Sequence, residues 1–253
     1  MNILHGKGIW TLDKDIGKAV KKAPQCGATY ILCKVSKHGA YQKDKAQNAL
    51  GQIRQNPDLI PVAWMFNYLD DIQAEAECIA RALNDGFEAM VIDAEQEIEM
   101  KFSKADKLAE RVLALGLDTG RIYLCSDPRL DRKIDEIPTI QLAKMCRGGF
   151  IPMVYGEIMP AHKEEAAKIV SDNTRAEYEK HKASLNYDMP LMPAIAPYWD
   201  NAGAVHMGYA EFKKWCDQAL IGDPGFVSLY RAGVTSEGAW KAFGELQVTG
   251  DEP

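Results

Sequence analysis

The 253-residue sequence has no C-x-x-C pair, no unbroken apolar run of about 18 residues, and no glycine-rich loop behind its first apolar segment. Each absence removes a class. The six cysteines, Cys26, Cys33, Cys78, Cys125, Cys146 and Cys216, are scattered, several inside apolar runs. Metal-type spacings are missing, so no zinc site is expected, and the thiols read as reduced, mostly buried small hydrophobes. Without a long apolar run there is no transmembrane helix to expect. An open doubly wound sheet would need a phosphate loop after its first strand, and "WTLDKDIG" (Trp10–Gly17) is not one. Excess basic charge is lacking too. Thirty Lys and Arg stand against 36 Asp and Glu, a formal charge of −6, which argues against a nucleic-acid partner. The five histidines share no spacing that suggests a metal or a triad, and no cofactor is expected. The N-terminal "MNILHGKGIW" has too short an apolar core for a secretory signal. That predicts a cytoplasmic start, with release to the cell wall by another route, such as a phage holin, left open.

What is present is ordinary globular composition, 47% apolar and 26% charged. Short apolar runs alternate with amphipathic ones. Eight strands are predicted, at Gly8–Leu12, Ala28–Ser36, Ile60–Leu69, Phe87–Glu95, Arg121–Ser126, Phe150–Glu157, Met192–Asp200 and Phe226–Gly233. Helices are predicted between them. Asp71–Gly86 has apolar residues at helical spacing, with Asp71 to cap its start and Gly86 its end. Ser103–Gly116 reads as a helix opened by Ser103, and Gly208–Gly222 reads the same way. The longest excursion, His162–Asp188, is a charged helix plus a polar turn, expected as an extended sixth helix at the surface. Units of about 30 residues are the size of one βα repeat, and continuous apolar strands suit a parallel sheet covered by helices. The fold expected is α/β, a single (β/α)8 TIM barrel over residues 1–253.

In such a barrel the site lies at the C-terminal strand ends. Those ends offer Trp10, Trp64, Asn67, Tyr68, Tyr155, Tyr198, Trp199, Tyr230 and Arg231 as substrate-binding candidates. Aromatic platforms suit the C–H faces of sugar rings. The acids are Asp93 and Glu95, with Glu157 and Asp200 as further catalytic candidates. Strand side chains alternate, so Asp93 and Glu95 continue the row of Ala89 and Val91 toward the barrel mouth. Two nearby carboxylates cannot both ionise cheaply, so one is expected to titrate high and serve proton donation. Glu95, the outer acid, has the better reach for general acid, with Asp93 tuning it. Glu157 or Asp200 could complete a carboxylate pair across the mouth. Lys34 could form a Schiff base if desolvated, and an ion pair with a mouth carboxylate is the plainer expectation. Arg231 is expected as a carboxylate partner more than as a phosphate clamp.

"FEAMVIDAE" (Phe87–Glu95) resembles the fourth-strand D-x-E motif of family 25 glycoside hydrolases, the phage and fungal lysozymes, and the tail of the D-x-x-D-x-D-x-E motif of family 18 chitinases. Asp93 and Glu95 match its last two acids, while Glu88 and Val91 stand at its earlier positions. "MVYGE" (Met153–Glu157) resembles the sixth-strand M-x-Y-D of chitinases, with Gly156 in the place of the aspartate. "ATYILCKVSKHG" and "PVAWMFNY" are similar in layout to the second and third strands of family 25 enzymes, and "GKGIW" lacks their first-strand aspartate. The resemblance implies a glycosidase, a hydrolase of polysaccharides bearing N-acetylated sugars, peptidoglycan or a chitin-like chain, as a phage lysin would be. Glu95 would be the proton donor, Asp93 its assistant, Tyr155 a hydrogen-bonding partner near the reacting centre, and the substrate's own acetamido oxygen the attacking group. The alternatives are a catalytically inactive carbohydrate-binding barrel, or a metabolic barrel enzyme using Lys34 as Schiff base or Arg231 on a phosphate.

Overall fold

Eight parallel strands close on one another in the computed structural model, which describes residues 3–156, 166–185, 189–199, 205–220 and 224–248. They are β1 (Gly6–Thr11), β2 (Tyr30–Lys34), β3 (Ile60–Phe66), β4 (Ala89–Ala94), β5 (Ile122–Ser126), β6 (Gly149–Val154), β7 (Ala194–Ile195) and β8 (Phe226–Leu229). Each pairs with its neighbours in sequence, and β1 pairs with β8, so the barrel has no free edge. The expected (β/α)8 architecture is what the chain forms.

Alternation divides the strand residues between two cores. Ala89, Val91, Tyr123, Cys125, Ile151 and Met153 point into the barrel with Trp10, Tyr30, Trp64 and Phe226. Met90, Ile92, Ala94, Ile122 and Leu124 point out, beneath the helices. Both faces are therefore apolar, which explains the unbroken hydrophobic runs. The interior is crowded. A Cβ on Gly8 would sit 2.7 Å from the Phe226 ring and 2.8 Å from Leu32 Cδ1, so a side chain there has no room. The floor is closed by the N-terminal segment. Ile3 N and Leu4 N each donate to Tyr123 Oη at 3.2 Å, and Tyr30 Oη donates to Ile3 O at 2.7 Å.

The outer layer comprises α1 (Ile16–Lys22), α2 (Lys43–Ile53), α3 (Ile72–Asp85), α4 (Phe102–Ala114), α5 (Leu130–Lys133), α6 (Thr139–Ala143), α7 (Ala166–His181), α8 (Tyr209–Ala219) and α9 (Glu237–Gly244). Helix α3 is capped as its sequence predicts. The Asp71 carboxylate accepts from Ala74 N at 3.0 Å, and Gly86, at φ +103°, ends it. Helix α4 departs from expectation. It begins at Phe102 with Lys101 at the cap position and no capping side chain, so Ser103 lies inside its first turn. After β5 the chain makes two short helices, with Pro138 at the cap position of α6. Part of the long charged excursion is α7, which is anchored: Tyr178 is buried, donates to Met189 O and stacks on Phe150. A two-residue turn missing from the sequence reading links Ser36–Lys37 to Ala40–Tyr41, an antiparallel hairpin between β2 and α2. Its turn residues, His38 and Gly39, have φ of +48° and +78°. No helix among the described residues is long and apolar enough to cross a membrane.

Candidate active site

At the C-terminal end of β4 the alternation carries a polar pair to the mouth. Asp93 follows Val91 on the inward row and is 5% exposed. Ala94 faces out, and its carbonyl accepts from Ser126 Oγ at 2.8 Å. Glu95 is extended, at φ −123° and ψ −161°, before a 3-10 turn over Gln96–Ile98 carries the chain away. Asp93 and Glu95 line one open cleft of about 350 Å³. Trp10, Cys125, Met153, Tyr155 and Tyr230 line it beside them.

The electrostatics of the pair are asymmetric. Burial pushes the Asp93 carboxyl well above the usual carboxylate range, and the charge of Glu95 adds to the rise. The Lys34 ammonium and a hydrogen bond from the Cys125 thiol oppose it. Asp93 Oδ1 is buried with no hydrogen-bond partner among the described residues. Glu95 is only half-buried. Burial also raises the Cys125 thiol, and the neighbouring Asp93 charge raises it further.

Aromatic rings build the adjoining walls. Tyr155 and Tyr230 stack with centroids 5.6 Å apart and planes 21° apart. Burial lifts both phenols above their ordinary range. Trp10 stands edge-on to Tyr230 at 5.9 Å and donates its indole N–H to Ser228 Oγ at 2.9 Å. The opposite wall is charged. Arg129 grips Asp127 through two nitrogens, at 2.5 and 2.9 Å, and Lys133 bridges Glu99, at 2.8 Å, and Glu136.

Other sequence candidates lie elsewhere. Trp64 is 2% exposed and off the cleft, donating to Thr11 O at 3.3 Å. Asn67 is turned away, buried, with its amide donating to Glu75. Tyr198 belongs to the barrel interior and is 3% exposed. Trp199 sits on the outer side, edge-on to Trp215 at 5.4 Å, with its N–H on Glu211 Oε1 at 2.8 Å. The reason is where the strands stop. β3 ends at Phe66 and β7 at Ile195, so strand alternation does not extend to these later positions. Tyr68 lines a second groove. Arg231 is half-buried and off the cleft, with no carboxylate within 4 Å among the described residues. The chain after it makes a 3-10 turn over Ala232–Val234 and then α9. Glu157 and Asp200 lie outside the described residues. Lys34 has no ion pair within 4 Å among the described residues. Its ammonium lies 4.9 Å from the Trp64 ring and 5.5 Å from Phe66, and burial lowers its pKa.

The sequence reading missed Cys125 as a partner of Asp93. It stands directly across the strand pair, Asp93 opposite Cys125, so the signal lay in barrel register rather than in any motif. Gly156 also gains a reason. A Cβ there would meet Trp199 Cε3 at 2.7 Å, so no aspartate fits that position without moving the indole. Among the described residues no group of three His, Cys, Asp or Glu side chains is placed to hold a metal ion.

No protein-family model and no curated protein sequence matches this chain. Solved structures do. A class V chitinase from Pseudomonas fluorescens Pf-5 superposes with TM-score 0.64 at 11% identity, over 94% of this chain and 98% of that one. The catalytic domain of a hyperthermophilic chitinase from Pyrococcus furiosus gives 0.67 at 14% identity, over 97% and 95%. The spore cortex-lytic enzyme SleL of Bacillus megaterium QM B1551 gives 0.59 at 10% identity, over 98% and 76%. At these identities the likeness is one of fold: this chain shares its barrel with chitinases and a cortex-lytic enzyme.

Proposed function

We propose that this chain is a glycoside hydrolase that cleaves a polysaccharide containing N-acetylated sugars, peptidoglycan or a chitin-like chain, by carboxylate acid catalysis. One observation carries the reading: Asp93 and Glu95 share a cleft at the mouth of β4, with Asp93 buried, one oxygen unpartnered among the described residues, and its carboxyl pushed toward the protonated form. Two such carboxyls favour holding one proton between them over a wide pH range.

Glu95, half-buried at the cleft, gives its proton to the glycosidic oxygen as the bond from that oxygen to the sugar's C1 breaks. The acetamido oxygen of the same sugar attacks C1, so no protein nucleophile is needed. Asp93 orients the acetamido N–H through the oxygen that no described residue engages. Glu95, now a carboxylate, takes the proton of the water that opens the cyclic intermediate. Tyr155 and Tyr230 present ring edges and phenols to the sugar, and Trp10, buried, packs edge-on against Tyr230. The barrel shared with proteins named chitinase and cortex-lytic enzyme supports this reading. Glu157 and Asp200 stay candidates for a second carboxyl.

The test is incubation of the purified chain with suspended peptidoglycan and with chitin. Falling turbidity with new reducing ends is expected. Tight binding without turnover would identify a carbohydrate-binding barrel instead. Borohydride trapping of a carbonyl substrate on Lys34 would identify a Schiff-base enzyme.

A further inference from the structure

A second groove, of about 460 Å³, opens at the barrel mouth on the side of β1 to β3. Its lining contrasts with the rest of the molecule. Lys14, Lys34, Lys37 and Lys45 face it with one acid, Asp13, in a chain whose net charge is −6. Lys45 is paired with Asp13 at 2.5 Å. Lys14, Lys34 and Lys37 have no carboxylate within 4 Å among the described residues. Four ammonium groups around one concavity repel one another, and a bound anion relieves that repulsion.

A buried polar atom points to the same ligand. Ser36 lines the groove, is 6% exposed, and its Oγ has no hydrogen-bond partner among the described residues. A buried hydroxyl without a partner costs free energy unless a ligand completes it. The geometry around it is fixed. Ser36 pairs with Tyr41 in the short hairpin, whose His38–Gly39 turn packs on α3: a Cβ on Gly39 would sit 2.6 Å from Glu75 Cγ. The His38 ring lies 5.3 Å from that of Tyr68, which supplies a flat apolar face to the same groove. Lys34 links the two openings, since its charge acts on Asp93 in the catalytic cleft.

We propose that this groove is an anion-reading subsite, in which Ser36 Oγ and the free lysines bind a carboxylate carried on a sugar ring next to the bond cleaved. This rests on the glycosidase reading and narrows it, because it selects acidic N-acetylated glycans over neutral ones. A carboxylate on the glycan and a free oxyanion offer the same chemistry, and the experiment separates them.

The experiment measures binding to the Glu95→Gln protein, which leaves the ligand intact. The probes are neutral chitotetraose, a tetrasaccharide alternating N-acetylglucosamine with N-acetylmuramic acid, and inorganic phosphate. The acidic tetrasaccharide is expected to bind roughly tenfold tighter than the neutral one at low salt, an advantage that shrinks as salt rises. Adding Lys14→Gln and Lys37→Gln, both at exposed positions, should erase the advantage. Ser36→Ala should weaken acidic binding while leaving the melting temperature unchanged or higher, which a merely structural hydroxyl would not do. Equal affinity for the two tetrasaccharides overturns the proposal, as does an advantage that survives the lysine changes. Tight phosphate binding without discrimination between the glycans also overturns it, leaving a free-anion site. If neither glycan binds and the wild-type chain releases no reducing ends, the glycosidase reading falls as well.

Discussion

Asp93 sits in surroundings that work against its charge. Its folded-state pKa is raised above the ordinary 3.8, first by burial and then by Glu95. From that ordinary value upward the folded chain binds more protons than the unfolded one, so this group's contribution lowers stability as pH rises through the folded pKa. Asparagine carries no such slope. Asp93→Asn should therefore gain stability over the wild type as pH increases, with little difference near pH 4 and the largest near pH 8, measured by thermal melts at both. A pH-independent offset would contradict the linkage. Asp93 was legible because alternation places it on the inward row of β4, and Glu95 because its backbone stays extended one residue past the strand's end at Ala94. Cys125 was not legible. A thiol in an apolar run reads as a small hydrophobe, and only its register opposite Asp93 reveals its contact.

Among the elements, the β3–α3 connection hangs on one acid. Glu75, in the first turn of α3, is fully buried and turns its carboxylate back to Leu69 N at 2.7 Å, Tyr68 N at 3.2 Å and the Asn67 amide. It thereby holds Tyr68 at the rim of the basic groove and Leu69 at φ +55°. Burial pushes the Glu75 carboxyl up to about 7. Glu75→Ala leaves these donors unpaired and should cost about 2–4 kcal/mol in chemical denaturation. Glu75→Gln should cost far less. Asn67 Oδ1 has no partner among the described residues, so turning that amide presents an acceptor to the new N–H groups. Equal losses in the two variants would mean that volume, not hydrogen bonding, holds the loop. In the sequence Glu75 is one acid among several on an amphipathic helix, and nothing local marks it as buried. The hairpin beside it was hidden too, because strands of two residues leave no periodic trace. β7 shrinks to Ala194–Ile195 between Pro193 and Pro197, which lack the N–H a ladder needs.

At the scale of the molecule, the barrel was legible because its strands are buried on both faces and recur at the length of a βα unit. The uneven helical layer was not, since Pro138 lies between the two short helices after β5 that a regular repeat would make one. Closure also sequesters the thiols. All six cysteines are buried thiols outside any disulfide, and burial raises the pKa of each. A thiol-specific disulfide reagent should titrate none of them quickly in the native protein and all six in denaturant, because the thiolate is the reactive form. A fast-reacting native thiol would contradict the packing described.

In the proposed mechanism Glu95 supplies the proton to the departing sugar. The deciding measurement is kcat/KM of Glu95→Gln, which reports the steps through bond cleavage, on two substrates that share one N-acetylated sugar and differ in leaving group. With a sugar as leaving group, kcat/KM should fall by roughly 10²–10⁴. With dinitrophenolate, which departs without protonation, bond cleavage should be nearly unimpaired. Equal losses on both substrates, or no loss on either, would contradict the assignment.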